Sequence, residues 1–88
     1  MGFYEIEFAP QAAKNFSKLD KSVQKSIQKY LNKEQLRRNP RALGKPLRYS
    51  LFGLWRYRIG DYRLIADIQD DVLIILVLEV DHRKDIYG

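Results

Sequence analysis

The sequence predicts an α+β domain: an N-terminal strand and an α-helical hairpin followed by a three-stranded antiparallel meander, with the helices packed on one face of the sheet. Three observations carry this expectation. Residues 3–8 (FYEIEF) alternate, residues 10–38 place apolar side chains at helical spacing, and residues 55–80 hold two alternating runs around a glycine turn and then an apolar run. With 88 residues and 45% hydrophobic content, there is room for one core, so a single domain over residues 1–88 is expected.

The elements follow in order. Tyr4, Ile6 and Phe8 share one side of the first strand, Phe3 to Phe8, and Phe3, Glu5 and Glu7 the other, which describes a half-buried strand. Pro10 suits a first helical turn, where its missing N–H costs nothing, and Ala12, Ala13, Phe16 and Leu19 continue at helical spacing. Asp20 can cap a second helix. Its inward stripe is Val23, Ile27, Tyr30, Leu31 and the stem of Glu34, while Lys21, Lys25, Lys29 and Lys33 recur outside. Asn39-Pro40 ends it, because a residue before proline is pushed out of the helical region.

Residues 39–50 (NPRALGKPLRYS) then read as a basic loop anchored by Leu43 and Leu47. Trp55 to Ile59 (WRYRI) alternates, Gly60-Asp61 fits a type II′ turn, and Tyr62 to Ile68 (YRLIADI) resumes the alternation. Asp70-Asp71 turns into a strand over Val72 to Val80, whose apolar run (VLIILVL) suggests burial on both faces. A polar tail, DHRKDIYG, closes the chain. Nothing local places the first strand within the sheet.

Composition excludes several classes. There is no cysteine and one histidine, so neither a disulfide scaffold nor a Cys/His zinc site can form. A phosphate-binding glycine loop, HExxH, a Ser/His/Asp set and a magnesium carboxylate cluster are all missing from the sequence, and no metal or cofactor is expected. The apolar run is far below the ~20 residues of a membrane span, and the acidic N-terminus does not read as a signal peptide, so the expected location is the cytoplasm, with no membrane partner. Charge is uneven. Residues 1–50 hold eleven Lys/Arg and four Asp/Glu, a balance of +7, whereas residues 51–88 hold five and seven, a balance of −2. The basic half suits a polyanion, and a solvated helix face has the same look.

A two-residue turn at Gly60-Asp61 pairs Ile59 with Tyr62, Arg58 with Arg63, Tyr57 with Leu64 and Arg56 with Ile65. Arg56, Arg58 and Arg63 then share one sheet face, opposite an apolar face of Trp55, Tyr57, Ile59, Tyr62, Leu64, Ala66 and Ile68. Like charges directly opposed are destabilising, so this face needs a bound anion or acidic neighbours, for which Asp67 and Glu79 are available. Guanidinium forks suit phosphate. Beyond the last strand, His82, Arg83 and Tyr87 add a titratable group, a cation and an aromatic.

The order of elements, the loop GKPLR (44–48), the hairpin WRYRIGDYRLI (55–65) and the ending VDHRKDIY (80–87) resemble the RelE/ParE toxin superfamily of toxin–antitoxin systems over nearly the whole chain. The resemblance implies a compact α/β toxin held inactive by a RelB-like antitoxin, in a complex that binds its own operator DNA through the antitoxin. For a RelE-type member it implies a ribosome-dependent mRNA endonuclease that needs no metal and cuts in the A site by 2′-OH attack. A ParE-type member would instead inhibit DNA gyrase without catalysis, and a third possibility is an inactive homologue serving as an antitoxin-binding co-repressor.

Carried over by position, the catalytic set is Arg56 and Arg58 on the second strand of the RelE pattern, Arg63 on the next strand, and Arg83 and Tyr87 in the tail. The RelE pattern has lysines where Arg56 and Arg58 stand, so this chain keeps the charge and loses a side chain able to transfer a proton near neutrality. His82 is the first candidate for base or acid, with a surface histidine that caps the strand or contacts the antitoxin as the alternative, and Asp81 and Asp61 are secondary base candidates. Tyr87 stacks on a nucleotide or packs beside Ile86. Lys21, Lys25, Lys29, Lys33, Arg37, Arg38, Arg41, Lys45 and Arg48 are the candidates for contact with the ribosomal RNA backbone.

Overall fold

Strand β1 of the computed structural model, which describes residues 2–82, spans Glu5–Phe8 and is shorter than the sequence predicts. The Tyr4 N–H donates to the Arg37 carbonyl at 2.8 Å, which draws the segment before β1 toward the helices. Helix α1, Pro10–Ser17, starts on proline as expected, buries Ala12, and packs Phe16 against Phe8 with ring centroids 5.2 Å apart. Helix α2, Lys21–Leu31, buries Ile27 and Leu31. Asp20 occupies its N-cap position without a side-chain cap bond. The Gln24 amide instead donates to the Phe16 and Leu19 carbonyls at 3.1 and 3.0 Å, tying the end of α1 to α2.

The expected second helix is in fact two. Lys33 is extended, and a separate helix α3, Glu34–Arg38, buries Leu36. The break moves Glu34 outward, where it pairs with Arg38, so its stem does not continue the α2 stripe. The basic loop also holds more structure than predicted. It contains a 3₁₀ turn at Pro40–Ala42, a short strand β2 (Lys45–Pro46) and a second 3₁₀ turn at Tyr49–Leu51.

Strands β3 (Trp55–Ile59), β4 (Tyr62–Gln69) and β5 (Ile74–His82) form the predicted meander. The sheet has five strands in the order β1-β5-β4-β3-β2, with β1 parallel to β5 and the other pairs antiparallel. The last strand starts later than expected. Val72 and Leu73 lie in the turn, 55% and 36% exposed, with Leu73 at φ +56, and only Ile75, Val77 and Val80 of β5 are buried.

One core joins Ala12, Ile27, Leu31 and Leu36 from the helices to Tyr57, Leu64, Ala66, Ile75, Val77 and Val80 from the sheet. Tyr57 is central, fully buried, and its hydroxyl donates to the Pro40 carbonyl at 2.8 Å. Gly44, at φ +75, lets the loop approach β3, because a Cβ there would lie 2.3 Å from the Arg56 carbonyl oxygen. The helices thus cover one sheet face, and they leave the other for the candidate site.

Candidate active site

Gly60 has φ +57 and Asp61 does not share a positive φ, as a type II′ turn requires. The register is the expected one: Ile59↔Tyr62, Arg58↔Arg63, Tyr57↔Leu64 and Arg56↔Ile65. Since Tyr57 and Leu64 lie in the core, Arg56, Arg58, Arg63 and Ile65 point to the face without helices. Ile65 is only 1% exposed there and stands outside the main core, so it forms an apolar floor among the charged groups.

Strand β5 adds what the sequence did not show. Ile65 pairs with Glu79 and Ala66 with Val77, so Leu78 is an extra residue in a β-bulge. Without it, simple alternation from Val77 would send residues 79 and 81 into the core. With it, Glu79 and Asp81, opposite Ile65 and Arg63, join the arginine face, and His82, opposite Tyr62, goes to the helix side. The His82 ring meets Tyr62 edge-on with centroids 4.9 Å apart, beside a groove of about 520 Å³ lined also by Asn15, Lys18 and Leu19. The sheet therefore separates His82 from the three arginines. Arg83 and Tyr87 lie outside the described residues. Asp61 stays in the turn.

Neither of the available acidic neighbours, Asp67 or Glu79, forms an ion pair with these arginines. Ion pairs among the described residues join Arg37 to Glu5, Arg38 to Glu34 and Arg41 to Asp70, and none includes Arg56, Arg58 or Arg63. Arg63 Nε is buried without a hydrogen-bond partner. Asp67 accepts a bond from the Gln69 amide at 3.1 Å, and Glu79 lies against Asp81. The neighbouring Asp81 carboxyl, with partial burial, raises the Glu79 pKa, and the charge of Arg63 opposes the rise. The site is thus three cations that form no ion pair among the described residues, beside the carboxyl groups of Glu79 and Asp81.

The nine candidate backbone-contact residues divide. Lys21, Lys25, Lys29 and Lys33 are exposed along and just beyond α2, on the helix side of the sheet, with the Lys33 ammonium 4.8 Å from the Tyr30 ring centre. Arg37 donates to the Tyr4 carbonyl and Glu5, Arg38 holds Glu34, and Arg41 grips both Asp70 oxygens at 3.0 and 3.1 Å. Arg41, with Tyr4, holds the Asp70 carboxyl below its ordinary range. Lys45 and Arg48 are exposed and in none of the ion pairs. A cleft of about 220 Å³ at the β2 edge joins Lys45 to Arg56, Arg58, Tyr30 and Gly44.

A family profile described as the ParE toxin of the type II toxin–antitoxin system parDE matches residues 6–87. The chain belongs to the RelE/ParE toxin superfamily. Within it, the chain is 36% identical over 84 residues to Toxin RelG of Mycobacterium tuberculosis, covering 96% of this chain and 95% of RelG. It is 30% identical to Toxin RelE of the same organism, covering 96% and 86%. The toxin–antitoxin complex RelBE2 from M. tuberculosis contains a chain of the same fold, with TM-score 0.82, 34% identity and 94% of each chain covered. The intact E. coli RelBE toxin–antitoxin complex matches at TM-score 0.74 and 23% identity, over 90% of this chain and 95% of that one, a likeness of fold alone. The protein is therefore a toxin of the RelE family of type II toxin–antitoxin systems. Among the described residues of this RelE/ParE member, no three His, Cys, Asp or Glu side chains group as metal ligands, and no helix is long and apolar enough to cross a membrane.

Proposed function

We propose that this toxin is a ribosome-dependent endoribonuclease that cleaves mRNA in the A site and is neutralised by a RelB-like antitoxin. The observation that carries the reading is the face of Arg56, Arg58 and Arg63: three guanidiniums on adjacent strands, in no ion pair among the described residues, with Arg63 Nε buried and unbonded. A bound phosphodiester satisfies all three at once.

The 2′-hydroxyl of the RNA attacks the adjacent phosphorus. The O2′–H bond breaks as the O2′–P bond forms, the P–O5′ bond breaks, and a 2′,3′-cyclic phosphate and a 5′-hydroxyl end result. The arginines stabilise the added charge on the phosphoryl oxygens. The proton acceptor on this face is the Glu79/Asp81 pair, because His82 stands across the sheet against Tyr62. Water held by Arg83, or Arg83 itself, supplies the proton to the leaving O5′, and Tyr87 stacks on the nucleotide. Lys45 and Arg48, with the α2 lysines, hold ribosomal RNA backbone. The relatives solved as RelB–RelE complexes support the antitoxin partner, through which the complex binds operator DNA.

The ParE description of the matching profile supports a second reading, inhibition of DNA gyrase without catalysis. Controlled expression with mapping of mRNA 5′ ends separates the two. Codon-phased cuts on translated messages, lost in Arg58→Ala and Arg63→Ala, are expected; intact mRNA with gyrase-dependent DNA damage refutes the nuclease.

A further inference from the structure

A protruding turn between β2 and β3 stands outside the site described so far. The hairpin continues beyond its last paired residues, with the Leu47 N–H donating to the Leu54 carbonyl at 3.0 Å, and the 3₁₀ turn at Tyr49–Leu51 closes it. Tyr49 adopts φ +60, a left-handed conformation that is disfavoured for any residue with a Cβ. Tyr49 is 91% exposed and Phe52 85% exposed, with Leu51 beside them at 40%. Neither ring joins the aromatic, cation–π or hydrogen-bonded contacts found among the described residues. The turn closes backbone bonds from Leu51 N–H to the Arg48 carbonyl and from Phe52 N–H to the Tyr49 carbonyl, but among the described residues nothing covers its two aromatic rings.

The surroundings define the partner's chemistry. From Gln35 to Gly60 the chain carries seven Lys/Arg and no Asp/Glu. Of those seven, Lys45, Arg48, Arg56 and Arg58 are outside the intramolecular ion pairs, and Arg48 directly precedes Tyr49. The same hairpin ends in β3, so the turn leads directly into the strand that carries Arg56 and Arg58. Shape discriminates between partner classes. Tyr49 and Phe52 are 91% and 85% exposed, and neither lines the cleft at the β2 edge or the groove beside His82, so this surface projects outward. An amphipathic helix from a protein partner needs a groove, whereas the flat face of an unpaired base needs only an exposed ring with cations nearby for the phosphates.

We propose that Tyr49 and Phe52 form a stacking platform for unpaired bases of single-stranded RNA, with Arg48 and Lys45 on the adjoining phosphates. The platform extends the arginine face and deepens the RNA reading given above, on which it rests. It makes recognition there tolerant of base identity, since every base offers a π face, and dependent on the absence of base pairing.

Fluorescence anisotropy with a labelled single-stranded 2′-O-methyl RNA tests it, because the methyl group removes the attacking hydroxyl and leaves binding alone. Tyr49→Gly relieves the left-handed strain, so its Tm is expected to equal or exceed that of the unsubstituted chain while its Kd weakens by about 5- to 100-fold. Phe52→Ala weakens binding similarly, Tyr49→Phe retains it, and Tyr49→Leu, apolar but not flat, loses it. Unchanged RNA affinity in both Tyr49→Gly and Phe52→Ala overturns the proposal. So does retained affinity in Tyr49→Leu, or a loss confined to antitoxin binding, which assigns the turn to a protein partner. The two readings fail separately. Cleavage by the unsubstituted toxin with RNA affinity indifferent to Tyr49 removes the platform and keeps the nuclease; Tyr49-dependent RNA binding in a toxin that leaves mRNA intact does the reverse.

Discussion

Replacing Arg58 with Gln is expected to make the protein more stable and less active. Arg58 lies directly opposite Arg63, and neither is held by an acid in the ion pairs of the described residues. Facing residues in an antiparallel pair have Cβ atoms about 5 Å apart, where two unit charges in water repel by about 0.8 kcal/mol, and the ends of long side chains can splay to reduce this. The repulsion lost is therefore roughly 0.2–1 kcal/mol, which for a chain of this size raises Tm by about 1–8 °C. Gln keeps much of the stem that packs on the sheet. Salt provides the internal control. The Debye length falls from ~10 Å at 0.1 M to ~3 Å at 1 M, so the gain should shrink at high salt. Loss of one donor to the developing phosphoryl charge costs about 10²–10³ in cleavage rate. Thermal melts at both salt concentrations, with single-turnover cleavage on programmed ribosomes, measure both effects. A variant that is less stable at low salt, or whose stability difference ignores salt, refutes the idea that these arginines are uncompensated.

Other expectations concern the scaffold and the carboxyl groups. Tyr57→Phe keeps the buried ring and strands the Pro40 carbonyl, so a loss of about 1–3 kcal/mol and a Tm lower by at least ~4 °C are expected; an unchanged melt shows that the bond contributes nothing. Gly44→Ala places a Cβ against the Arg56 carbonyl at positive φ and should cost more than ~1 kcal/mol in urea denaturation, with a normal midpoint counting against the close approach. The folded-state pKa of Glu79 is raised, chiefly by Asp81, so its contribution to stability is complete below its unfolded pKa and is lost as pH rises through the folded one. Glu79→Gln should accordingly gain on the unsubstituted chain toward neutral pH, and parallel Tm-versus-pH curves would count against the pair. Asp70 has the opposite sign: Arg41 and Tyr4 depress its pKa, so its contribution is present above the unfolded pKa and lost as pH falls through the folded one. Asp70→Asn should remove that acid-side loss, and the effect should be small because the pair is exposed.

Much of this protein was legible locally. Gly60-Asp61 alone determines the β3/β4 register, because a two-residue turn leaves one pairing and side chains alternate with a period of two, which puts Arg56, Arg58 and Arg63 on one face. Pro10 and the helical spacing around Ala12, Phe16 and Ile27 likewise determined where α1 begins and which sides of α1 and α2 are buried. The tertiary structure decided whatever depends on residues far apart in the chain. The parallel pairing of β1 with β5 joins residues about seventy positions apart, and no turn between them encodes it. The partition of the basic residues belongs here too, since Arg37 and Arg41 are taken by Glu5 and Asp70 across the fold. So does the bulge at Leu78. One unpaired residue there reverses the alternation of β5, bringing Glu79 and Asp81 to the arginines and sending His82 to the other side. Local sequence sets the alternation of side chains along a strand, but a bulge is a property of two strands together, and only their pairing decides which residues end up on the same face.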